Sequence, residues 1–396
     1  MSKPNILLLN DTTTSRHAGS IATVEGVCHM LKAFDTPNIY TLPVGYCYGL
    51  LAESRGDLNL KPNPLNDIKS SLYQIKTSLS SIKKSVFKTS PPTIELINAP
   101  NKKQFKIDAW HSTIHKLKNE PYLNNLFTWC DLVVINGEGT IHHNYYGAQI
   151  LLALAFVARE QYNKPTLLVN STIESIDNYL ISESLSKINY ISVRDNQSRE
   201  YLENFSINCH MHPDAAFSND YIDFSSRESS VRNKTPSCLI SSGIEQTADF
   251  ASNLIKIAQN KGYKPTYYCF DNTDNNAYRY CRTNNIDVVN HATIPWQCFP
   301  SFLNQFDLCI SGRHHLNVFS ILGRVPFIPL NSTSWKIQGT LDLISYPLRI
   351  AKKGDDIEDA IQELTVLSEP FNNNLIEETI SKSKTMISDY FKSGFT

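Results

Sequence analysis

A chain of 396 residues exceeds what one hydrophobic core usually organises, so two domains are expected. Hydrophobic content of 41% with 19% charged residues is that of a globular protein, and a net charge of -1 excludes a whole-protein field that would gather nucleic acid or an anionic membrane. Nine scattered cysteines without a Cys-x-x-Cys pair exclude a disulfide frame or a zinc site, and no apolar run suits a signal peptide or a bilayer span, so a cytoplasmic protein is expected.

Ile6 to Leu9 is a continuous apolar run, as in a strand covered on both faces. It ends in a polar loop, Asn10 to Ser20, that opens onto a helix from Ile21 to Phe34. Strand, Gly/Ser loop and helix N-terminus make an anion cradle, with His17, Gly19 and Ser20 as candidate contacts. The spacing matches neither a dinucleotide fingerprint nor a Walker loop, and Ser20 taken alone reads as a helix N-cap. Ile39 to Val44 is the second strand. After a Pro-, Gly- and Asn-rich stretch, Ile68, Leu72, Ile75, Leu79, Ile82 and Val86 form a heptad seam, with Lys69, Lys76 and Lys83 beside it. This helical insertion, about 66–90, packs on its own domain or a second subunit, or its basic face over 66–88 meets a membrane surface carrying a lipid-linked acceptor. Pro91-Pro92 ends it.

Helical pattern resumes from Ile107 to about Phe127, and Leu132 to Ile135 is a buried strand. The second polar constellation follows, Asn136 to Asn144. Gly137 and Gly139 flank Glu138, allowing close approach and a left-handed backbone. Glu138 can act as general base towards a hydroxyl; the alternative is hydrogen bonding to its own loop. His142 and His143 complete a Glu-x-x-x-His-His run, but the local sequence lacks the further ligands a Mg²⁺ or Zn²⁺ site needs, and no metal is expected. Gln149 to Gln161 is a buried helix and Thr166 to Val169 a strand. The strand from Tyr190 ends in Arg194-Asp195: either Arg194 grips an anion while Asp195 caps the helix Asn196 to Glu203, or the two pair with each other. A strand at Cys209 to Met211 and a turn from His212 to Phe217 precede the polar, aperiodic stretch from Ser218 to Pro236. That stretch divides a first domain, 1–218, from a second, 237–396.

The second half repeats the alternation: Cys238 to Ser242, helix Ala248 to Lys261, Thr266 to Phe270, helix Asn276 to Asn284, and Ile286 to Val289. Phe306 to Ile310 then reads as a buried strand, followed by Ser311, Gly312, Arg313, His314 and His315, an apolar helix stopped by Gly323, and a further buried strand. In such βαβ units ligands bind beyond the strands' carboxyl ends. Arg313 offers a fork for phosphate or carboxylate, and a histidine moves protons near neutral pH. Adjacent side chains on an incipient helix cannot face one point, so one of His314 and His315 is expected to be structural. Helices near Ile337 to Ile344, Asp356 to Leu367 and Leu375 to Phe391 close the chain, the last long enough to cross back to the first domain. The fold class is α/β: two doubly wound, parallel, Rossmann-like sheets facing a cleft that is the natural active site.

Four ordered features resemble the polysaccharide pyruvyl transferases. They are Asn136 to Thr140; Ser192-Val193-Arg194-Asp195 with Ser198 and Leu202; Pro213-Asp214-Ala215-Ala216-Phe217; and Ser311 to His315 leading to Gly323-x-Val325-Pro326. Lys336-Ile337-Gln338-Gly339 resembles the family's Lys-hydrophobic-x-Gly helix start. The resemblance implies a two-lobed GT-B-like fold, with the acceptor side first and the donor side second. It implies a transferase of capsule or lipopolysaccharide biosynthesis that adds a pyruvyl ketal from phosphoenolpyruvate, a co-substrate and not a cofactor, to a sugar or its lipid-linked precursor. It further implies that Arg313 and His315, with the earlier Arg194, handle phosphoenolpyruvate and the proton, beside Ser311, Gly312 and His314. Two departures stand out: Gly19-Ser20 where Gly-Asp is common, and Glu138 where a small residue is usual. Either Glu138 replaces the lost carboxylate, or the fold serves another donor. The alternatives are therefore a GT-B glycosyltransferase using a nucleotide-activated sugar, such as a CMP-linked acidic one, and a non-catalytic glycan-binding subunit.

Overall fold

The computed structural model describes residues 3–15, 17–33, 36–43, 105–222, 235–243, 247–269, 275–352 and 354–392. The heptad helix of 66–90 lies outside them. Two parallel sheets organise the chain. The first contains β1 (Asn5–Leu9), β2 (Asn38–Leu42), β3 (Leu132–Glu138), β4 (Thr166–Ser171), β5 (Tyr190–Val193) and β6 (His210–Met211), in the order β2-β1-β3-β4-β5-β6. The second contains β7 (Ser237–Ser241), β8 (Lys264–Cys269), β9 (Asp287–Asn290), β10 (Leu308–Ser311) and β11 (Phe327–Pro329), in the order β11-β10-β7-β8-β9. The apolar runs of β1, β3 and β4 are buried on both faces by flanking helices, as parallel strands require.

Each sheet reverses its strand order once, between β1 and β3 in the first and between β7 and β10 in the second. At such a switch point the connections leave in opposite directions and open a crevice at the strands' carboxyl ends. Asn10, the helix Ala18–Lys32 and Glu138 stand at the first crevice; Ser311, Arg313 and the helix His314–Leu322 stand at the second.

Several elements differ from the pattern in the sequence. The stretch from Ile107 to Phe127 is two helices, Ile107–Lys118 and Pro121–Trp129, because Pro121 lacks an N–H and begins a new helix at its first position. The short helix Asn178–Glu183, capped by the Asp177 side chain, is too brief to show a period. Gly323 ends its helix without a positive φ, and Arg324 makes the left-handed turn instead. The carboxyl-terminal helix is two, Asn373–Thr385 and Ser388–Lys392. Between and within them, Met386, Ile387 and Tyr390 enter the core formed by Ile6, Leu8, Val24, Val134 and Leu167 of the first sheet's lobe. Tyr190 Oη donates to the Met386 carbonyl at 3.0 Å, and His212 Nε2 lies 3.0 Å from Asp389 Oδ2. Among the described residues no helix is long and apolar enough to cross a membrane.

Candidate active site

The polar centre that joins the two lobes is Asp214, a buried residue that the sequence offers only as part of a turn. Its Oδ1 accepts from the Ala216 N–H at 2.8 Å and caps the short 3-10 turn Ala215–Ser218. That leaves Oδ2 facing the other groups. Arg194 Nη1 donates to it at 2.5 Å, His314 Nε2 lies at 3.1 Å and His315 Nε2 at 3.7 Å. Thr172 Oγ1 accepts from Arg194 Nε at 2.8 Å and sets the plane of the guanidinium. Burial alone would raise the pKa of Asp214, but Arg194 and then the two imidazoles outweigh it and hold the carboxyl well below its ordinary range. Burial, reinforced by Arg194, pushes His314 down to about 3. His314 is therefore neutral at physiological pH, and with an ionised carboxylate as its partner the ring proton sits on Nε2. The ligand atoms of Asp214, His314 and His315 lie within 4.8 Å of one another, but the guanidinium of Arg194 already rests on the oxygen that a cation would need.

One expectation is corrected here, and one pair of alternatives is decided. His314 and His315 do converge on one point, with ring centroids 5.0 Å apart. Both occupy the first turn of the helix, where side chains lean towards the N-terminus, and Asp214 lies beyond that end, so two divergent stems can reach it. Arg194 and Asp195 do not pair. Asp195 instead accepts from Ser198 N at 2.7 Å as the N-cap of helix Asn196–Glu203, and from Thr172 Oγ1 at 2.9 Å.

The first lobe supplies the rim. The helix begins at Ala18, with His17 at the N-cap position and no side-chain cap, so Ser20 lies inside the first turn and is not the cap. Its hydroxyl donates to Glu138 Oε1 at 3.3 Å. His17 instead meets His291 of the second lobe, ring centroids 4.7 Å apart. Gly19 packs directly beneath the His315 ring, where any Cβ would collide. Gly19→Ala is expected to displace His315 and abolish turnover, at a stability cost of about 1–3 kcal/mol, measured by activity and denaturation side by side; an active variant would sever the Gly19–His315 link.

At the end of β3 it is Glu138 itself, at φ +45°, that takes the left-handed conformation, and not the flanking glycines. Holding a non-glycine residue there costs about 1–3 kcal/mol, a strain that concentrates at functional sites. Gly137 and Gly139 serve clearance: a Cβ on Gly137 would strike Ser171, and one on Gly139 would lie 3.3 Å from Lys336 Nζ and 3.4 Å from Arg194 Nη2. His142 and His143 are turned to one another, Nδ1 to Nδ1 at 2.9 Å, and His143 Nε2 lies 3.6 Å from Glu174. Burial, followed by Lys336 and His143, pushes His142 down to about 3, so it is a neutral member of the rim.

Lys336 is the second residue absent from the candidates named by pattern alone, although the helix start containing it was noted. Trp335 fixes it against the first lobe, its N–H donating to Glu174 Oε2 and its indole Nε1 to Ser198 Oγ, each at 3.1 Å. Burial of the ammonium, then Arg194, lowers Lys336 to about 8; Glu138 opposes and Arg313 adds to the depression. Three cationic side chains, Arg194, Arg313 and Lys336, thus share one electrostatic neighbourhood with Glu138 and Asp214. Ser311 and Gly312 shape the loop: Ser311 Oγ accepts from Arg313 N at 2.9 Å, and Gly312 is in close backbone contact with Gly243.

The sequence profile of Polysaccharide pyruvyl transferase matches residues 17–334. The chain belongs to that family. A search of curated proteins finds no match. Among solved structures, UDP-N-acetylglucosamine 2-epimerase from Rickettsia bellii superposes with a TM-score of 0.55 at 9% identity, covering 100% of this chain and 99% of that one. UDP-GlcNAc 2-epimerase from Methanocaldococcus jannaschii gives 0.53 at 11% identity over 99% and 100%. Arabidopsis thaliana UGT89C1 complexed with UDP gives 0.53 at 9% over 99% of each. At these identities the likeness is one of fold, the GT-B-like pair of Rossmann-type lobes. Family membership makes the pyruvyl transferase relative described here a polysaccharide-modifying transferase.

Proposed function

We propose that the protein transfers a pyruvyl ketal from phosphoenolpyruvate to two hydroxyls of a sugar in a surface polysaccharide or its precursor. The observation that carries this reading is that Arg194, Arg313 and Lys336 share one electrostatic neighbourhood with Asp214, from which His315 lies 3.7 Å away. Phosphoenolpyruvate brings a phosphate and a carboxylate, and two guanidinium forks with an ammonium match both. In the reaction, protonation of the methylene carbon makes C2 electrophilic. A sugar hydroxyl bonds to C2 and gives up its proton; a second hydroxyl then displaces phosphate and releases its own. One proton is retained in the new methyl group and the other leaves with phosphate. His315, oriented by Asp214 and by Gly19 beneath it, is the donor at the methylene carbon. Glu138, held by Ser20, accepts from the attacking hydroxyl. Lys336 holds the departing phosphate.

Incubation with phosphoenolpyruvate and a panel of acceptor glycans is expected to release inorganic phosphate. No release across acceptors, with turnover of a nucleotide sugar, would overturn the reading. Because Lys336 loses its charge above about 8, the rate is expected to fall as pH rises through that value. In Lys336→Met that alkaline limb disappears and the rate is low throughout.

A nucleotide-sugar donor is the second reading, favoured by the carboxylate at Glu138 and by the UDP-bound and UDP-sugar-using relatives in fold. A thermal-shift comparison separates the two: stabilisation follows RT ln(1 + [L]/Kd), about 2.7 kcal/mol at roughly 100-fold saturation. Phosphoenolpyruvate is expected to stabilise the protein where cytidine and uridine nucleotides do not.

A further inference from the structure

On the helix that carries His314 lies a polar side chain that no group of the described residues pairs. Asn317 is only 1% exposed, yet neither its Nδ2 nor its Oδ1 meets a partner among the described residues. Nδ1 of His314, on the same helix and also buried, is equally unpartnered. Leaving such groups dry forfeits their hydration, so buried amide and imidazole atoms are paired with protein or with ordered water. Three such atoms within one turn of a helix call for a common partner.

Their placement supplies one. Residues three apart on a helix are neighbours on one face, and side chains lean towards the helix N-terminus. The Asn317 carboxamide is therefore aimed at the turn that carries His314. Nε2 of His314 is committed to Asp214, with Arg194 and His315 as the other charged or titratable groups around the ring. Nδ1 must then be a bare acceptor. A water molecule typically makes about three hydrogen bonds in a buried polar site. Here it can donate to Nδ1 of His314 and to Oδ1 of Asn317, while Nδ2 of Asn317 donates to a water oxygen.

We infer that Asn317 and His314 Nδ1 hold a buried water that completes the hydrogen bonding of the Nε2–H tautomer set by Asp214, making Asn317 a positioning residue for the Asp214 centre. Its importance for turnover rests on the proposed reaction, but the water it helps to hold does not. The test is long-range ¹H–¹⁵N correlation of the histidine rings in the full chain, with His314→Gln to assign the signals. In the unsubstituted protein His314 is expected as a single Nε2–H tautomer whose Nδ1 carries the shift of a hydrogen-bonded acceptor. Asn317→Leu is expected to lose that Nδ1 shift, and Asn317→Ser, which keeps a hydroxyl and room for water, to retain it. An Nδ1–H tautomer in the unsubstituted protein, or Nδ1 signals unchanged in a folded Asn317→Leu, would overturn the inference. These spectra need no substrate, so a failure of the phosphoenolpyruvate assay leaves the result standing, and the reverse holds too.

Discussion

Asp214→Ala is expected to lower the free energy of unfolding by about 3–5 kcal/mol, the range for removing one partner of a buried ion pair. The reason lies in what remains. The Arg194 side chain is 2% exposed and would keep its charge with only the Thr172 hydroxyl beside it. His314 would lose the acceptor of its Nε2 proton, and the turn Ala215–Ser218 would lose its cap. Asp214→Asn keeps the size and the cap, so it should recover part of the stability while remaining without turnover, because an amide cannot balance Arg194 or orient both imidazoles. Denaturant titration of the two variants checks the order. A loss of under about 1 kcal/mol for the alanine variant would show that the pair is not the centre of the fold's polar network.

The second large effect is on the pH dependence of stability. His314 and His142 both titrate near 3 in the folded protein, from an ordinary value of 6.5. Above about 6.5 each is neutral folded or unfolded and contributes nothing to the slope. As pH falls from there towards 3, only the unfolded chain takes up the protons, and stability falls by about 1.4 kcal/mol per unit for each histidine. The two losses add across that window. Asp214 acts in the same direction at lower pH: its folded value is depressed, so its contribution is present above the ordinary carboxylate range and is lost as pH falls through the folded value. Unfolding midpoints measured between pH 7 and 4 should decline steadily, and His314→Gln and His142→Gln should each flatten the decline. An unchanged slope in both would refute the assignment.

The fold was largely legible because parallel strands announce themselves. Ile6 to Leu9 and Leu132 to Ile135 are apolar without interruption, which only burial on both faces accommodates, and the polar loops after them mark the carboxyl ends. Element ends were less legible where one residue decides them, as at Pro121 and at Met386. The site was readable as a set of polar loops, since Arg194, Glu138, Arg313 and His315 each follow a strand. Its wiring was not. Asp214 is 20 residues from Arg194 and 100 from His314, and no local pattern states that a capping aspartate keeps one oxygen for the other lobe. Lys336 behaves likewise: its lowered pKa arises from burial and from Arg194, a residue of the other lobe. Glycine permits a left-handed backbone, but here the glycines provide the close approach and the glutamate between them bears the strain.

The seating of Met386, Ile387 and Tyr390 beneath the first sheet bears on how the protein is made. During translation the amino-terminal half emerges early but cannot complete its interior, because these plugging residues follow the whole second sheet in the chain. Its apolar underside must wait through synthesis of the whole second half, a delay that favours aggregation and calls for chaperone protection. The two halves thereby become a single product of biosynthesis, finished only when the tail docks.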